Sequence, residues 1–294
     1  INISKYMGIK TLKEIKNIES CHIEDGLAVL KFIIELKQKK INPTHEYEVS
    51  EILYKKRKEG INFFRNSFDY ISAYDSNAAI VHYKPHPEKS LSSKNRNLLL
   101  IDSGAQYLEG TTDITRVIKI GAKNLSRVKF SYTYLLKSLI RIENKIFPRN
   151  IRTSEIDLFI RKYLSKFNIT YNHGTGHGVG NFGDVHEKYP IISSRSNDNL
   201  IKNALFSIEP GYYVEGQFGL RIENLYVTKN INNSLKLKNI TLVPYDLDLV
   251  NFKLITKFER NYIKKYHREI YKTLKPRLSD DYRDYFIKNL INKI

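Results

Sequence analysis

Cysteine is almost absent from this chain of 294 residues, which contains one cysteine, one methionine and no tryptophan. The single thiol, Cys21, excludes an intramolecular disulfide framework, and a reducing cytoplasm is the simplest location to predict. The sequence also lacks a signal-peptide core and any apolar run long enough to cross a bilayer. We therefore expect a cytoplasmic protein with no membrane partner.

Acidic residues are few relative to basic ones: 31 against 49, a formal net charge of +18. Such an excess raises nucleic-acid binding as a function class. The lysines, however, are scattered among Ile, Asn and Tyr, a bias that AT-rich codon usage produces without selection for binding. We interpret the densest runs, KQKK at 37–40 and KKRK at 55–58, as solvated helix faces. We expect no specific nucleic-acid partner, while nonspecific anionic partners stay open.

Hydrophobic periodicity gives a coarse map of the chain, whose length fits one large domain or at most two ordinary ones. It predicts helices over 11–40, 46–60, 124–147, 153–167 and 255–292. It predicts a strand near 77–83, a hairpin over 98–120, irregular strands over 169–187, a second hairpin over 204–228 and a strand near 240–243.

Each predicted hairpin carries a pair of carboxylates. LLLID, ending at Asp102, reads as a buried strand, and ITRVIKI from Ile114 reads as its return strand after the turn signal at Gly110, so we expect Asp102 and Asp113 to face each other. The second half repeats the arrangement: ALFSIE ends in Glu209, a glycine-rich turn region follows, and RIENLYV brings Glu223 back beside it. One acidic residue at a strand end usually stays solvated, but two such pairs indicate a ligand set.

Histidines accompany the carboxylates. HGTGHG contains His173 and His177, and its three glycines argue against a regular helix and favour a backbone that a ligand or metal approaches closely. VHEKYP resembles the zincin HExxH helix only superficially, because Pro190 stands in place of the second histidine. We expect His82, His173 and His186 to line one pocket with His177.

The potential ligands are four carboxylates and one imidazole: Asp102, Asp113, His177, Glu209 and Glu223. This hard, oxygen-rich set suits two divalent ions, with Mn²⁺ preferred and Co²⁺ or Zn²⁺ as alternatives, rather than a structural zinc held by thiolates. Two ions roughly 3.5–4 Å apart that share a hydroxide supply a nucleophile at neutral pH and polarise a carbonyl. The pattern therefore predicts a two-metal hydrolase.

The segments AAIVHY, IDSGAQYLEGTTDITR, HGTGHGVG, EPGYYVEGQFGLRIEN and TLVPYDLDL resemble the catalytic domain of the Xaa-Pro aminopeptidases (aminopeptidase P), in the pita-bread metallopeptidase family with methionine aminopeptidase and prolidase. The likeness covers nearly the whole chain. It implies an α+β pita-bread fold, in which a pseudo-twofold antiparallel sheet is flanked by helices. It further implies a catalytic domain over 1–245 and a C-terminal helical extension over 246–294, and we expect the upstream N-terminal domains of the family to be absent.

The resemblance also assigns roles. It implies that the five residues named above are the metal ligands and that Glu209 also carries the proton to the leaving nitrogen. His82, His173 and His186 match substrate-binding and proton-shuttling histidines. Arg221 matches an arginine that orients the ligand carboxylates, and Tyr213 an active-site tyrosine.

The implied activity is removal of the first residue from peptides with proline in second position, through a metal-bridging hydroxide. Four alternatives stay open: a prolidase acting on Xaa-Pro dipeptides, a creatinase-like hydrolase that keeps the fold without metals, a weakly active copy, and a degenerate fragment serving as a non-catalytic interaction module. A homodimer is an expected partner state.

Three departures from the family pattern bear on activity. Lys188, Tyr189 and Pro190 stand where the family has Gly-Pro, so we expect a lengthened or distorted loop after Glu187. Asn203-Ala204 replaces Gly-Met, and Ala78 or Ala79 replaces a glycine near His82. Lost glycines would clash where φ is positive.

Overall fold

The computed structural model describes residues 3–123 and 125–294, and within these ranges the chain forms seven α-helices and fourteen strands. The helices are α1 (Ile3–Gly8), α2 (Leu12–Lys37), α3 (Glu46–Lys58), α4 (Ser126–Glu143), α5 (Thr153–Ser165), α6 (Lys257–Leu274) and α7 (Asp280–Phe286). The strands are β1 (Phe63–Asn66), β2 (Ile71–Tyr74), β3 (Leu98–Ser103), β4 (Ala105–Tyr107), β5 (Gly110–Thr111), β6 (Ile114–Lys119), β7 (Ile146–Pro148), β8 (Gly176–Gly178), β9 (Glu187–Ile192), β10 (Leu205–Ile208), β11 (Gly211–Val214), β12 (Phe218–Arg221), β13 (Asn224–Ile231) and β14 (Ser234–Asn239). Within the same ranges, no helix has the length and apolarity needed to cross a bilayer.

The predicted helices are confirmed, with their ends set by local chemistry. Helix α2 begins after Thr11, whose hydroxyl accepts the Glu14 N–H while the Glu14 carboxylate accepts the Thr11 N–H, and this capping box satisfies two otherwise unpaired donors. The helix predicted from 124 is seen from Ser126, and residue 124 itself lies outside the described residues. The predicted C-terminal helix is interrupted after Leu274, where Pro276 occupies a 3₁₀ turn.

Two antiparallel sheets form the frame of the fold. One has the order β2-β3-β6, and the other has the order β7-β14-β13-β10-β8-β9. The main hydrophobic core joins α2 with α4, α5, α6 and strands of both sheets. The two sheets meet where the Glu223 N–H donates to the carbonyl of Thr115 at 3.2 Å. This α+β arrangement confirms the predicted fold class.

The two carboxylate hairpins are present, but with different registers. In the second hairpin, the last pair is Ile208 with Asn224. Glu209 comes directly after Ile208 and Glu223 directly before Asn224, so the two glutamates lie side by side at the end of the ladder. In the first, Asp102 pairs with Thr115, and Asp113 lies just before β6. The expectation that Asp102 and Asp113 face each other directly is therefore wrong. The short β4–β5 hairpin inserted between them offsets Asp113 diagonally.

Two predicted strands are wrong. Residues 77–83 form a 3₁₀ helix (Asp75–Ala79) and a turn, because Asp75 turns the chain with φ of 40° and its carboxylate accepts the backbone N–H groups of Asn97 and Leu98. Residues 240–243 are irregular, and the strand lies earlier, at β14. Beyond β14 one more backbone bond forms, from the Ile240 N–H to the Leu225 carbonyl, and the Thr241 hydroxyl then accepts the Leu225 N–H in place of a backbone carbonyl.

The basic runs are not simply solvated helix faces. Arg57 is fully buried, and its guanidinium donates to both carboxylate oxygens of Asp25 at 2.8 and 3.1 Å. Lys37 pairs with Asp246 at 2.6 Å, and Lys56 pairs with Glu35. Part of the positive charge therefore holds α2 and α3 to their neighbours, since a buried guanidinium requires a hydrogen-bonded partner.

The departures from the family pattern cause no strain of the expected kind. Lys188, Tyr189 and Pro190 lie within β9, which pairs with β8, so the expected loop after Glu187 is wrong. Asn203 does adopt a positive φ, 64°, but asparagine tolerates this conformation better than most residues. Ala78 and Ala79 are not among the described residues with positive φ.

Candidate metal centre

All five predicted ligands line one cleft with a volume of about 640 Å³, formed where the two sheets meet. The ligand atoms of Asp113, His177 and Glu223 lie within 4.8 Å of one another. The His177 Nε2 atom is 3.5 Å from Asp113 Oδ2 and 3.5 Å from Glu209 Oε1. Residues separated by more than 100 positions in the sequence thus converge on one point.

The close packing of β8 places His177 in this cleft. Gly176 lies so near β10 that a Cβ there would be 1.9 Å from the carbonyl oxygen of Ser207, as the glycine-rich segment predicts. The His177 Nδ1 lies 3.0 Å from the carbonyl of Gly178, and a carbonyl only accepts, so Nδ1 carries the proton. The Nε2 lone pair is therefore free to face the carboxylates, which is the tautomer a metal-binding imidazole needs.

Arg221 organises the other side of the cleft. Its buried guanidinium donates to Asp102 Oδ2 at 2.6 Å, to the Tyr213 hydroxyl at 2.8 Å and to Thr115 Oγ1 at 3.2 Å. The Thr115 hydroxyl in turn donates to Glu223 Oε2 at 2.8 Å. One cation thus fixes two carboxylates, directly or through a hydroxyl, and leaves their remaining oxygens available.

Thr115 and Arg116 were not predicted. Thr115 shares a strand face with the residue two positions earlier, Asp113, and this alternation is a signal that could have found it. Arg116 is buried, and its fork donates to the carbonyls of Glu223 and Val243, both at 2.7 Å. No sequence pattern identifies the carbonyls that a buried arginine will reach.

The carboxylates repel one another in this arrangement. Burial raises the pKa of Asp113 well above its usual range, and the neighbouring Glu223 and Asp102 raise it further. Burial likewise raises the pKa of Glu223, with a further contribution from Glu209 and Asp102. The pKa of Glu209 rises to about 8, mainly because it is buried. Without a further cation, these groups hold protons near neutral pH.

Two carboxylate oxygens in the cleft indicate that it binds a cation. Asp102 Oδ1 and Asp113 Oδ1 are buried and have no hydrogen-bond partner among the residues that the structure describes. A buried carboxylate oxygen without a donor is costly unless a cation balances it. Four carboxylates around a free imidazole nitrogen match the donor set of divalent ions such as Mn²⁺. The residues present therefore fit a metal centre.

The three other predicted histidines line the same cleft, although their exposure differs. His173 is half-buried, whereas His82 and His186 are exposed, and the His186 ring lies 4.3 Å from that of His177. Burial, together with the charge of Arg221, lowers the pKa of His173 to about 4. His173 is therefore neutral at physiological pH.

A chain of hydrogen bonds fixes the tautomer of His173. Its Nδ1 lies 2.7 Å from the carbonyl of Gly174 and must donate, so Nε2 accepts from the Tyr213 hydroxyl at 2.8 Å. Tyr213 itself accepts from Arg221. The chain Arg221–Tyr213–His173 holds a proton between a tyrosine oxygen and an imidazole nitrogen at the edge of the cleft.

We expect the metal-free protein to lose stability as the pH rises from 6.5 to 8. Glu209, with a pKa of about 8, keeps its proton over this range when folded but loses it when unfolded, so the folded state binds more protons and rising pH favours unfolding. Each such carboxylate contributes a slope of about 1.4 kcal/mol per pH unit. The buried histidines, with pKa lowered to about 4, oppose this trend only below pH 6.5.

Thermal unfolding in a chelating buffer at several pH values measures this slope, and Glu209→Gln serves as the matched variant with a shallower slope. Excess Mn²⁺ should abolish this pH-dependent loss of stability, because a bound ion takes the place of the protons on the buried carboxylates. A metal-free melting temperature that stays constant or rises between pH 6.5 and 8 contradicts the prediction.

Comparisons with known proteins agree with this geometry. The family model "Metallopeptidase family M24" matches residues 17–230, and a model for the C-terminal region of that family matches residues 233–291. An Xaa-Pro aminopeptidase of Dictyostelium discoideum is 37% identical over 97% of this chain and 48% of that protein.

Solved structures show the same likeness. An X-prolyl aminopeptidase from Caenorhabditis elegans, described as a cytosolic enzyme with a di-nuclear active site, superposes with a TM-score of 0.92 at 29% identity, over 99% of this chain and 49% of that one. A prolidase from Pyrococcus furiosus gives a TM-score of 0.65 at 26% identity, over 80% of this chain and 66% of that one. The chain spans about half the length of its relative from Dictyostelium.

Proposed function

Because this chain belongs to metallopeptidase family M24, we propose that it is a dinuclear metal-dependent aminopeptidase that hydrolyses the N-terminal Xaa-Pro bond of peptides. The observation that carries the proposal is the meeting of five potential ligand side chains in one cleft, where two buried carboxylate oxygens find no donor within 3–123 and 125–294. Asp102, Asp113, His177, Glu209 and Glu223 would hold two divalent ions, of which Mn²⁺ is the one we expect.

Ions bound there would supply Lewis acidity toward a peptide carbonyl and lower the pKa of a coordinated water. The chain's own residues orient the reacting groups and move the proton. Glu209, whose Oε1 lies 3.5 Å from His177 Nε2 within the cleft, would take a proton from the attacking water and pass it to the leaving nitrogen. The Tyr213 hydroxyl donates its proton to His173 Nε2 in this structure, and on substrate binding it would turn to donate to the carbonyl oxygen and stabilise its developing charge.

The cleft also suits proline. In an Xaa-Pro bond the leaving nitrogen is tertiary and its ring is rigid, so the pocket must admit a small apolar ring without requiring an N–H. Phe68, Ile71, Val81 and Ile191 line the cleft beside His82 and His186 and supply such a wall. A free α-amino group bound near the acidic ligands would limit cleavage to the first residue.

A prolidase is the second candidate, and one observation favours it. Lys84 lines the same cleft and its side chain is 82% exposed, so its ammonium group is available to a substrate's C-terminal carboxylate. Its only nearby acidic partner among the described residues is Asp69, at 4.0 Å. A creatinase-like hydrolase without metals and a non-catalytic module are less well supported, because all five ligands are retained in one place.

We further propose that 1–245 form the catalytic domain, that 246–294 form its C-terminal helical extension, and that the protein acts in the cytoplasm, as its relative from Caenorhabditis elegans is described to do. A weak homodimer is the largest assembly that we expect. Analytical ultracentrifugation at several protein concentrations tests this last point.

Three peptides decide between the candidate activities. We expect Mn²⁺-stimulated release of the first residue from an Xaa-Pro-Yaa tripeptide, with slower cleavage of an Xaa-Pro dipeptide and none of a Met-Ala-Yaa peptide. The reason is that the apolar wall selects proline while the open cleft tolerates a longer substrate. Release of the first residue is followed by chromatography, with Glu223→Gln as the inactive control. Faster cleavage of the dipeptide identifies a prolidase, and cleavage of none of the three contradicts the proposed activity.

A further inference from the structure

A second group of buried polar residues lies behind the cleft, on helix α5. Asp157 is completely buried, and the guanidinium of Arg161, one turn later, donates from Nε to both Asp157 oxygens at 2.8 and 2.9 Å. The two remaining nitrogens of Arg161 donate to the backbone. They donate to the carbonyls of Tyr171 and His173, each at 2.6 Å.

The same pair holds the segment at its other end. The Thr175 hydroxyl donates to Asp157 Oδ1 and also lies 2.6 Å from the Tyr171 hydroxyl. The carbonyl of Thr175 accepts the Glu209 N–H at 2.8 Å. Residues 171–175 are therefore fixed at three points to one ion pair, and through Thr175 to a predicted metal ligand.

Ring contacts also fix the imidazole of His173. The guanidinium of Arg161 lies over the Tyr171 ring at 4.1 Å, and the Tyr171 ring packs on the His173 ring at 4.9 Å. Residues 171–175 include Gly174 and form no regular hydrogen-bonded ladder before β8, so nothing in their own sequence dictates the position of the imidazole. The position of the imidazole is therefore set by its tertiary contacts with Tyr171 and, through Tyr171, with Arg161.

We infer that Asp157 and Arg161 are positioning residues, which act through the backbone and ring of His173 to hold its Nε2 at the cleft edge. The inference rests on the proposed peptidase function. Neither residue lines the cleft, so neither touches the substrate. Arginine suits this role better than lysine, because its planar fork reaches a carboxylate and two carbonyls at once.

Arg161→Ala should lower kcat by roughly 10- to 100-fold, the range for a small displacement of a reacting group, with KM changed less than about twofold and metal content unchanged. The kcat of Arg161→Lys should lie between those of wild type and Arg161→Ala. An ammonium group can keep the ion pair with Asp157, but it cannot also reach both carbonyls. Lys162→Ala, at the exposed neighbouring position, is the matched control and should behave as wild type.

A double-mutant cycle separates positioning from general destabilisation. If Arg161 acts through His173, Arg161→Ala should change the residual kcat of the His173→Ala protein by less than about twofold, because the group it positions is already gone. Equal losses in the two backgrounds, or an unchanged kcat for Arg161→Ala alone, would overturn the inference.

Hydrogen exchange supplies a measurement that does not depend on activity. In Arg161→Ala, peptides covering 171–177 should exchange their amide protons faster than in wild type, while Lys162→Ala leaves them unchanged. If Arg161→Ala does not fold, Asp157→Asn, which preserves side-chain shape, should show the same faster exchange. If the wild-type protein cleaves no peptide, the proposed peptidase activity is refuted, and the positioning role is then tested by hydrogen exchange alone. Unaltered exchange over 171–177 in the variants would refute the positioning role.

Discussion

Asp113→Asn or Glu223→Gln should abolish metal-dependent peptidase activity and reduce the bound metal from two ions per chain to one or none. Loss of an outer hydrogen-bond partner of a metal ligand costs about 10- to 100-fold, and loss of a ligand itself should exceed that range. Both side chains are almost completely buried and lie within the group of close ligand atoms, so their removal would leave the centre with fewer donors.

Metal titration by calorimetry, with elemental analysis of the loaded protein, gives the stoichiometry. Glu215→Gln, in the exposed turn between β11 and β12, is the control and should bind two ions and keep full activity. Wild-type protein that is folded but binds no divalent ion would refute the metal centre itself. Full activity in either ligand variant would refute the assignment of that residue.

His173→Ala should lower kcat by roughly 10²–10⁴ while leaving the bound metal unchanged, because we propose that His173 supplies proton transfer or charge stabilisation rather than a metal ligand. The structure supports this separation, since His173 Nε2 contacts the Tyr213 hydroxyl and not a carboxylate. Tyr213→Phe removes the hydroxyl that His173 accepts from, and it should reproduce part of the loss.

His86→Ala is the control for this variant, because His86 is exposed and lies outside the cleft. Steady-state kinetics on the tripeptide and metal analysis are made on the same preparations. Loss of both ions in His173→Ala would show that this histidine belongs to the metal centre instead.

The helices are predicted well, and the five proposed ligands do meet in one cleft, because the signals for both are local. The Thr11 cap and the apolar spacing of α2 are visible within a few residues, and each carboxylate stands at the end of a recognisable strand. The strand predicted over 77–83 fails because its conformation is decided from outside. Asp75 caps backbone donors more than 20 residues away, and Ala78 packs so closely on β12 that a Cβ at Gly219 would lie 1.7 Å from its carbonyl oxygen.

The burial and the partners of charged side chains are what the sequence predicts least well. Arg57 belongs to a basic run that looks solvent-exposed, yet it forms a buried ion pair with Asp25, 32 positions away. Arg161 looks like an ordinary helix-surface residue, and only the structure shows the two carbonyls that it reaches. In both cases the partner is chosen by tertiary packing, about which local periodicity carries no information.

The bonds that complete the cleft have a consequence for the order of folding. Arg221 reaches Asp102 across 119 positions, Thr115 reaches Glu223 across 108, and Arg116 reaches Val243 across 127. Contacts of such long range form slowly, because the chain must close large loops before they add stability. On the ribosome, Asp102 and Asp113 emerge long before Glu209 and Glu223 exist. The nascent chain therefore carries only half of the proposed ligand set until the second hairpin is made, and the set is complete only once Glu223 has been added.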